Sequence, residues 1–137
     1  MYLSAFCGSL DFSSRTFVYA NHGHPTQYLY RVRDAKILRC SSQATLLGLP
    51  EKDRSVRQNE MEFVPHDKVM LFTDGVTETM DGRREAYGEE RLEDFIRAHT
   101  ALGVDAFNRA LLDDLRAFKG GTEEFRDDIF LLTMEIK

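Results

Sequence analysis

Apolar residues along this chain fall into two regimes. Up to about residue 72 they come in short runs rich in aromatic and β-branched side chains, and between residues 88 and 119 they recur at helical spacing. The first regime predicts strands. Residues 2 to 10 (YLSAFCGSL) alternate loosely. Asp11-Phe12-Ser13-Ser14-Arg15 supplies turn formers, and Thr16 to Ala20 (TFVYA) turns apolar again, so the two runs read as a hairpin. A third strand is expected over Gln27 to Val32, with Tyr28, Tyr30 and Val32 on one face and Leu29 and Arg31 on the other, and a shorter one over Lys36 to Arg39. Strands spaced this closely are joined most simply as antiparallel neighbours. Residues 41 to 60 lose periodicity. Leu46-Leu47-Gly48-Leu49-Pro50 reads as a packed loop running into polar coil, and Glu60 to Val64 as a further strand ended by the turn Pro65-His66-Asp67.

The second regime predicts two helices. Gly88 precedes Glu89-Glu90, acids suited to a first helical turn, and Leu92, Phe95, Ile96 and His99 fall on one face, with His99 a helix-end residue. The other helix is expected from Asp105 as N-cap to Lys119, with Phe107, Leu111, Leu115 and Phe118 in a stripe and Gly120-Gly121 as its stop. Both stripes call for a sheet to cover. Between strands and helices, Met80 to Glu85 is a polar surface loop whose arginines, Arg83 and Arg84, are solvated unless they meet an anionic substrate. No linker or repeat divides residues 1–137, which read as a single domain.

Two acidic positions stand apart from this pattern. Val69 to Phe72 is apolar without alternation, as in a short strand buried on both faces, and Asp74-Gly75 follows at once. A carboxylate there costs free energy unless N–H donors or a cation meet it, so a turn or cap reading competes with a metal-ligand reading. The second position is Asp127-Asp128, directly before the apolar run Ile129 to Ile136 (IFLLTMEI). One acidic site closes a buried strand and the other opens one, so antiparallel pairing would bring them to a common edge. Carboxylates gathered there repel one another unless divalent cations neutralise them, which is the logic of oxygen-ligand Mg²⁺ or Mn²⁺ sites. An acidic pair also marks phospho-acceptor receiver domains, but there it ends the first strand of a parallel sheet, which this chain does not match.

Composition narrows the choice of partner. The chain has 42% hydrophobic residues, enough for a core, and a formal charge of -5 with pI near 5.4. With no block of Lys or Arg, nucleic acid is not expected as the main partner. Cys7 and Cys40 match no metal spacing and read as reduced, partly buried thiols. No stretch reaches bilayer-spanning length and the first residues lack signal-peptide features, so membrane insertion is not expected and the location is expected to be cytoplasmic. In Asn21-His22-Gly23-His24-Pro25 the two histidines would share one side of an extended segment and could share a metal; the competing reading is a tight loop whose imidazoles bond to backbone or line a pocket.

Taken in order, SAFCGSLDFSSRTFVYANHGHP, LLGLP, FVPHDKVMLFTDGVTE, YGEERL and DDIFLLTMEI closely resemble the bacterial metal-dependent serine/threonine protein phosphatases (PPM family), in the branch of the sporulation stage II E protein and the stress sigma-factor regulators. The resemblance covers essentially the whole chain. It implies an α+β fold, an antiparallel β-sandwich flanked by helices in four layers (α-β-β-α), with the active site at one end. It implies that Asp74, in the family's TDG motif with Gly75, is a metal ligand and that Asp127 is a second, with Asp128 the alternative. The family's Asn-x-Gly-His-Pro turn falls on Asn21, Gly23, His24 and Pro25, near the same end. The implied chemistry is hydrolysis of phosphoserine or phosphothreonine on a regulatory protein, such as an anti-sigma-factor antagonist, by water activated at a two-metal Mn²⁺ or Mg²⁺ site. The family's upstream metal-binding aspartate has no match here, so the chain reads as the C-terminal part of the domain, and uncovered apolar edges would favour a homodimer or an upstream sensor segment. A non-catalytic relative acting by protein binding is the alternative.

Overall fold

In the computed structural model of this protein, residues 2–48, 58–120 and 124–137 are described. The first turn closes as its chemistry requires. Asp11 Oδ1 accepts the backbone N–H groups of Ser13 (2.8 Å) and Ser14 (3.2 Å) and Arg15 takes a φ of 57°, so β1 (Ala5–Asp11) folds back on β2 (Thr16–His22). On its other side β2 pairs with β5 (Asn59–Glu62), giving a sheet of order β1-β2-β5. Gly8 lies opposite Tyr19, where a Cβ would stand 2.7 Å from the ring of Phe17. That strand position is left empty so the aromatic ring can fill it.

β3 (Gln27–Arg31) leaves this sheet and founds the second, of order β4-β3-β6-β7, with β4 (Lys36–Cys40), β6 (Lys68–Phe72) and β7 (Leu131–Glu135); every pairing between named strands is antiparallel. Alternation along β3 and β6 sends neighbouring residues to opposite cores. Leu29 and Val69 join Phe17, Tyr19, Cys40, Phe63 and Ile136 between the sheets, whereas Tyr28, Tyr30, Met70 and Phe72 pack under the helices. α1 (Gly88–His99) contributes Leu92, Phe95 and Ile96 to that second core, and α2 (Val104–Lys119) contributes Phe107, Leu111 and Leu115. Double burial explains why these strands are apolar without a polar face. The two antiparallel sheets and flanking helices of the expected α+β fold are therefore present, and the described residues build a helical layer on one sheet only. No helix among them is long and apolar enough to cross a membrane.

Departures from the sequence reading are local. β1 begins at Ala5 rather than near Tyr2, and Leu3 makes an isolated bridge to Leu47 instead. Val32 drops out of β3 into a 3₁₀ turn (Val32–Asp34) because its N–H is taken by Asp67 Oδ1 at 2.8 Å. α2 is preceded by Gly103, not capped by Asp105, which lies in the first turn where a carboxylate still meets the positive helix end. Gly120 ends α2 in the left-handed conformation (φ 77°), while Leu49, Pro50 and Gly121 lie outside the described residues. Both cysteines are free, but Cys7 is exposed rather than partly buried; burial pushes the Cys40 thiol up to about 12. His99 sits at the end of α1, its Nδ1 2.9 Å from the carbonyl of Phe95 and its ring stacked on the Phe95 ring.

Asp67 fastens the base of the second sheet. It is fully buried, and its two carboxylate oxygens accept the N–H groups of Val32 (2.8 Å) and Val64 (2.9 Å), while its carbonyl accepts from Ile136 (2.9 Å). Replacing it by alanine would strand two N–H groups away from water. Asp67→Ala is expected to destabilise the fold by about 2–4 kcal/mol, read as a lower urea midpoint with an unchanged slope.

Candidate functional site

The register of β6 against β7 decides which residues meet beyond the strand ends. Phe72 faces Leu131, which sets residues 73–75 against 128–130. Thr73 knits them together: its N–H donates to the Phe130 carbonyl (3.2 Å), its hydroxyl donates to the Asp128 carbonyl (2.9 Å), and the Phe130 N–H donates to that same hydroxyl (3.0 Å). Gly75 is buried against the Asp128 backbone, and a Cβ on it would lie 2.9 Å from the Asp128 carbonyl oxygen. Glycine is needed here for close approach rather than for a left-handed backbone. From Thr73 the chain coils tightly. The Thr73 carbonyl accepts from Val76 N–H, the Asp74 carbonyl from Glu78 N–H (2.8 Å), and the Gly75 carbonyl from the Thr79 hydroxyl (2.7 Å).

Backbone groups thus do the structural work at both acidic positions. The side chains of Asp74, Asp127 and Asp128 are exposed, and their carboxylates form no hydrogen bond or ion pair with a described residue. Unspent carboxylate oxygens are the donor type that a hard divalent cation takes. Their number is smaller than a closed cage needs: among the described residues, no group of three or more His, Cys, Asp or Glu side chains converges so as to hold a metal ion. That also leaves the His22 and His24 pair without a third ligand.

The Asn21 turn is built from within. Asn21 is buried; its Nδ2 donates to the carbonyls of Cys40 (3.0 Å) and Pro25 (3.3 Å), and its Oδ1 accepts the His24 N–H (2.9 Å). Gly23 has φ 65° and donates its N–H to Ser42 Oγ (2.8 Å). Asn21 and Gly23 therefore shape this turn, and His24 stays half-buried at its tip. Sequence reasoning missed the residue that ties it to the acidic edge. Gln27, also buried, donates from Nε2 to the carbonyls of Pro25 (2.8 Å) and Phe72 (3.1 Å), and its Oε1 accepts the Phe72 N–H (2.6 Å). One amide side chain thus satisfies both backbone groups of the last residue of β6. The available signal was a lone polar residue opening the apolar run Gln27-Tyr28-Leu29-Tyr30.

Beside this edge lies a cleft of about 310 Å³, whose lining includes Gly75, Thr79, Asp81, Arg84, Arg126 and Asp127. Asp127 borders it, and Gly75 connects it to the Asp74 turn.

The sequence model of the family described as Stage II sporulation protein E (SpoIIE) matches residues 1–137, the full chain. The chain belongs to the SpoIIE family. This SpoIIE-family chain is 25% identical over 139 residues to the phosphoserine phosphatase RsbU of Bacillus subtilis (strain 168), an alignment covering 100% of the chain and 40% of that relative. Its fold is similar to the SiaA-PP2C domain of Pseudomonas aeruginosa, with TM-score 0.82 at 20% identity, covering 98% of the chain and 52% of that structure. It also resembles the RsbU and RsbW domains of Rv1364c from Mycobacterium tuberculosis (TM-score 0.75, 25% identity, 96% and 35% covered). A further likeness is to the manganese-presoaked phosphatase domain of SpoIIE from Bacillus subtilis (TM-score 0.68, 13% identity, 97% and 56% covered). The fold of the SpoIIE-family chain is thus PP2C-like, and its relatives are PP2C-type phosphatases. The chain spans between about a third and somewhat over half of each of these relatives.

Close approach at Gly75 is directly testable. Gly75→Ala must push the Asp128 carbonyl away, because the contact is with backbone rather than with a flexible side chain. The expected cost is about 1–3 kcal/mol, seen as a lower unfolding midpoint, with the largest amide shifts by NMR at residues 73–75 and 128–130.

Proposed function

We propose that this protein is a metal-dependent phosphatase that hydrolyses phosphoserine or phosphothreonine on a regulatory protein, with Asp74 and Asp127 as metal-ligating residues and Asp128 as the alternative to Asp127. One observation carries the reading. In a SpoIIE-family chain, two acidic turns from distant parts of the sequence meet at the paired ends of β6 and β7, with their carboxylates left unbonded by the described residues.

The chemistry follows from what these residues can do. Thr73, through its hydroxyl, and Gly75, through close backbone contact, hold the two turns at fixed separation, so the carboxylates on either side are presented from a stiff edge rather than from independent loops. Asp74 and Asp127 would supply anionic oxygen ligands for Mn²⁺ or Mg²⁺ and leave coordination positions open. Such an ion, when bound, supplies Lewis acidity toward phosphate oxygens and lowers the pKa of water. Gln27 and Asn21 act behind the edge, keeping His24 and its turn in register with Phe72. Neither thiol has a place in this scheme: Cys40 is buried in the inter-sheet core, where the thiolate is disfavoured, and Cys7 lies on β1 in the other sheet. By likeness to its relatives, the regulatory partner is a phosphorylated signalling protein of the kind that controls a sigma factor.

One observation favours a second reading, a binding module without turnover: the described residues bring together fewer than three side chains able to hold a metal. Phosphate release from an aryl phosphate by the whole protein that carries this sequence separates the two. Catalysis requires release that depends on Mn²⁺ or Mg²⁺ and falls roughly 100-fold or more in Asp74→Asn, the scale seen when one preorganised electrostatic group is lost. Turnover that survives this substitution removes Asp74 from the mechanism. Capture of a phosphorylated partner with no turnover at saturating metal supports the module instead.

A further inference from the structure

Building on the phosphatase reading, we propose that the cleft beside Asp127 is the docking groove for an acidic stretch of the partner protein flanking its phosphorylated residue, recognised by Arg84 and Arg126. The cleft starts at the β6–β7 edge, where Gly75 and Asp127 line it, and extends under the loop of residues 78–82 toward the end of α2. A peptide lying in it is delivered to the carboxylate edge. Its volume of about 310 Å³ is near the lower bound for ligand pockets, room for a few side chains rather than for a large cofactor.

Two arginines line this cleft, Arg84 and Arg126. Arg31, Arg33, Arg39, Arg91, Arg97 and Arg116 are each engaged in an ion pair with an acidic side chain. Arg15, Arg83, Arg84, Arg109 and Arg126 are exposed and form no ion pair with a described residue, and of these Arg84 and Arg126 line the cleft. Arg84 is also presented by a built loop. Asp81 Oδ1 accepts the N–H groups of Arg83 and Glu85 (2.8 Å each), the Asp81 carbonyl accepts from Arg84 N–H (3.1 Å), and Arg84 is held at φ 66°, which L residues rarely adopt. Lys119, which donates to the Glu124 carbonyl and lies over the Phe125 ring, adds a third positive charge to the lining. Carboxylates share that lining: Glu78, Asp81 and Asp127. Asp81 is occupied within its own loop and Asp127 belongs to the proposed metal edge, which leaves Glu78 as the acidic group outside both roles. On a chain of formal charge -5, a partner's acidic segment is repelled by most of the surface, and Arg84 and Arg126 set two unpaired guanidinium forks together in the cleft that opens at the carboxylate edge.

The test uses the whole protein and two fluorescein-labelled phosphoserine peptides, identical except for glutamate or glutamine flanks. Fluorescence anisotropy at low salt should show the glutamate peptide binding about fivefold to tenfold tighter. The double variant Arg84→Ala/Arg126→Ala should lose that preference while keeping its urea midpoint, since both side chains are exposed, and Arg84→Lys should retain part of it. Equal affinity for the two peptides, a preference untouched in the double variant, or competition by inorganic phosphate as effective as by the glutamate peptide would each overturn the proposal. Aryl phosphate turnover by the unaltered protein is scored separately: its absence overturns the hydrolytic reading, whereas the peptide comparison needs no turnover and decides docking by itself.

Discussion

Everything at the functional end depends on the antiparallel pairing of β6 with β7 and on its extension past the last ladder bond by Thr73. A β-ladder alone would stop at Phe72 and Leu131, leaving the acidic turns to wander independently. The Thr73 hydroxyl acts as donor to one carbonyl and acceptor from one N–H, in effect a further rung made by a side chain. Gly75 then allows the two backbones to touch. Two carboxylate-bearing turns, which repel each other, are held together by a neutral hydroxyl and neutral backbone groups, so neither carboxylate is needed to join them.

The same division of labour recurs around the edge. Asp67, Asn21 and Gln27 are polar and almost wholly buried, and each is bonded to backbone groups at a point where a strand ends or a turn begins. They replace ladder hydrogen bonds that irregular geometry would otherwise leave unmade. The residues proposed for chemistry behave oppositely: exposed, with side chains unengaged by described residues. Buried polar side chains here mark architecture and exposed ones mark candidate function.

Much of the fold was legible because its strands and helices carry uncompromised patterns. The stripes Leu92-Phe95-Ile96 and Phe107-Leu111-Leu115 pack as periodicity requires, and the unalternating run before Asp74 is buried on both faces. The pairing of β6 with β7, and hence the meeting of Asp74's turn with Asp127-Asp128, also followed from where each apolar run starts or stops. What could not be read was partnership at a distance. Nothing local announces that Gln27 serves Phe72, that Asp67 claims the N–H of Val32, or that β2 and β3, adjacent in sequence, belong to different sheets. Such facts live in tertiary contacts. The cap of α2 failed for a related reason: Asp105 has the right chemistry, but the helix starts one residue earlier, with Gly103 before it.

β3 serves as a partition between two cores, with Leu29 on one side and Tyr28 and Tyr30 on the other. A slip of one residue along its neighbours would thrust tyrosine hydroxyls into the gap between the sheets and withdraw aromatic mass from beneath both helices simultaneously. Such a strand has no tolerable one-residue misalignment, since an odd slip is penalised in both cores at once. The polypeptide can therefore find its correct alignment without any help from the acidic residues whose mutual repulsion would otherwise oppose it.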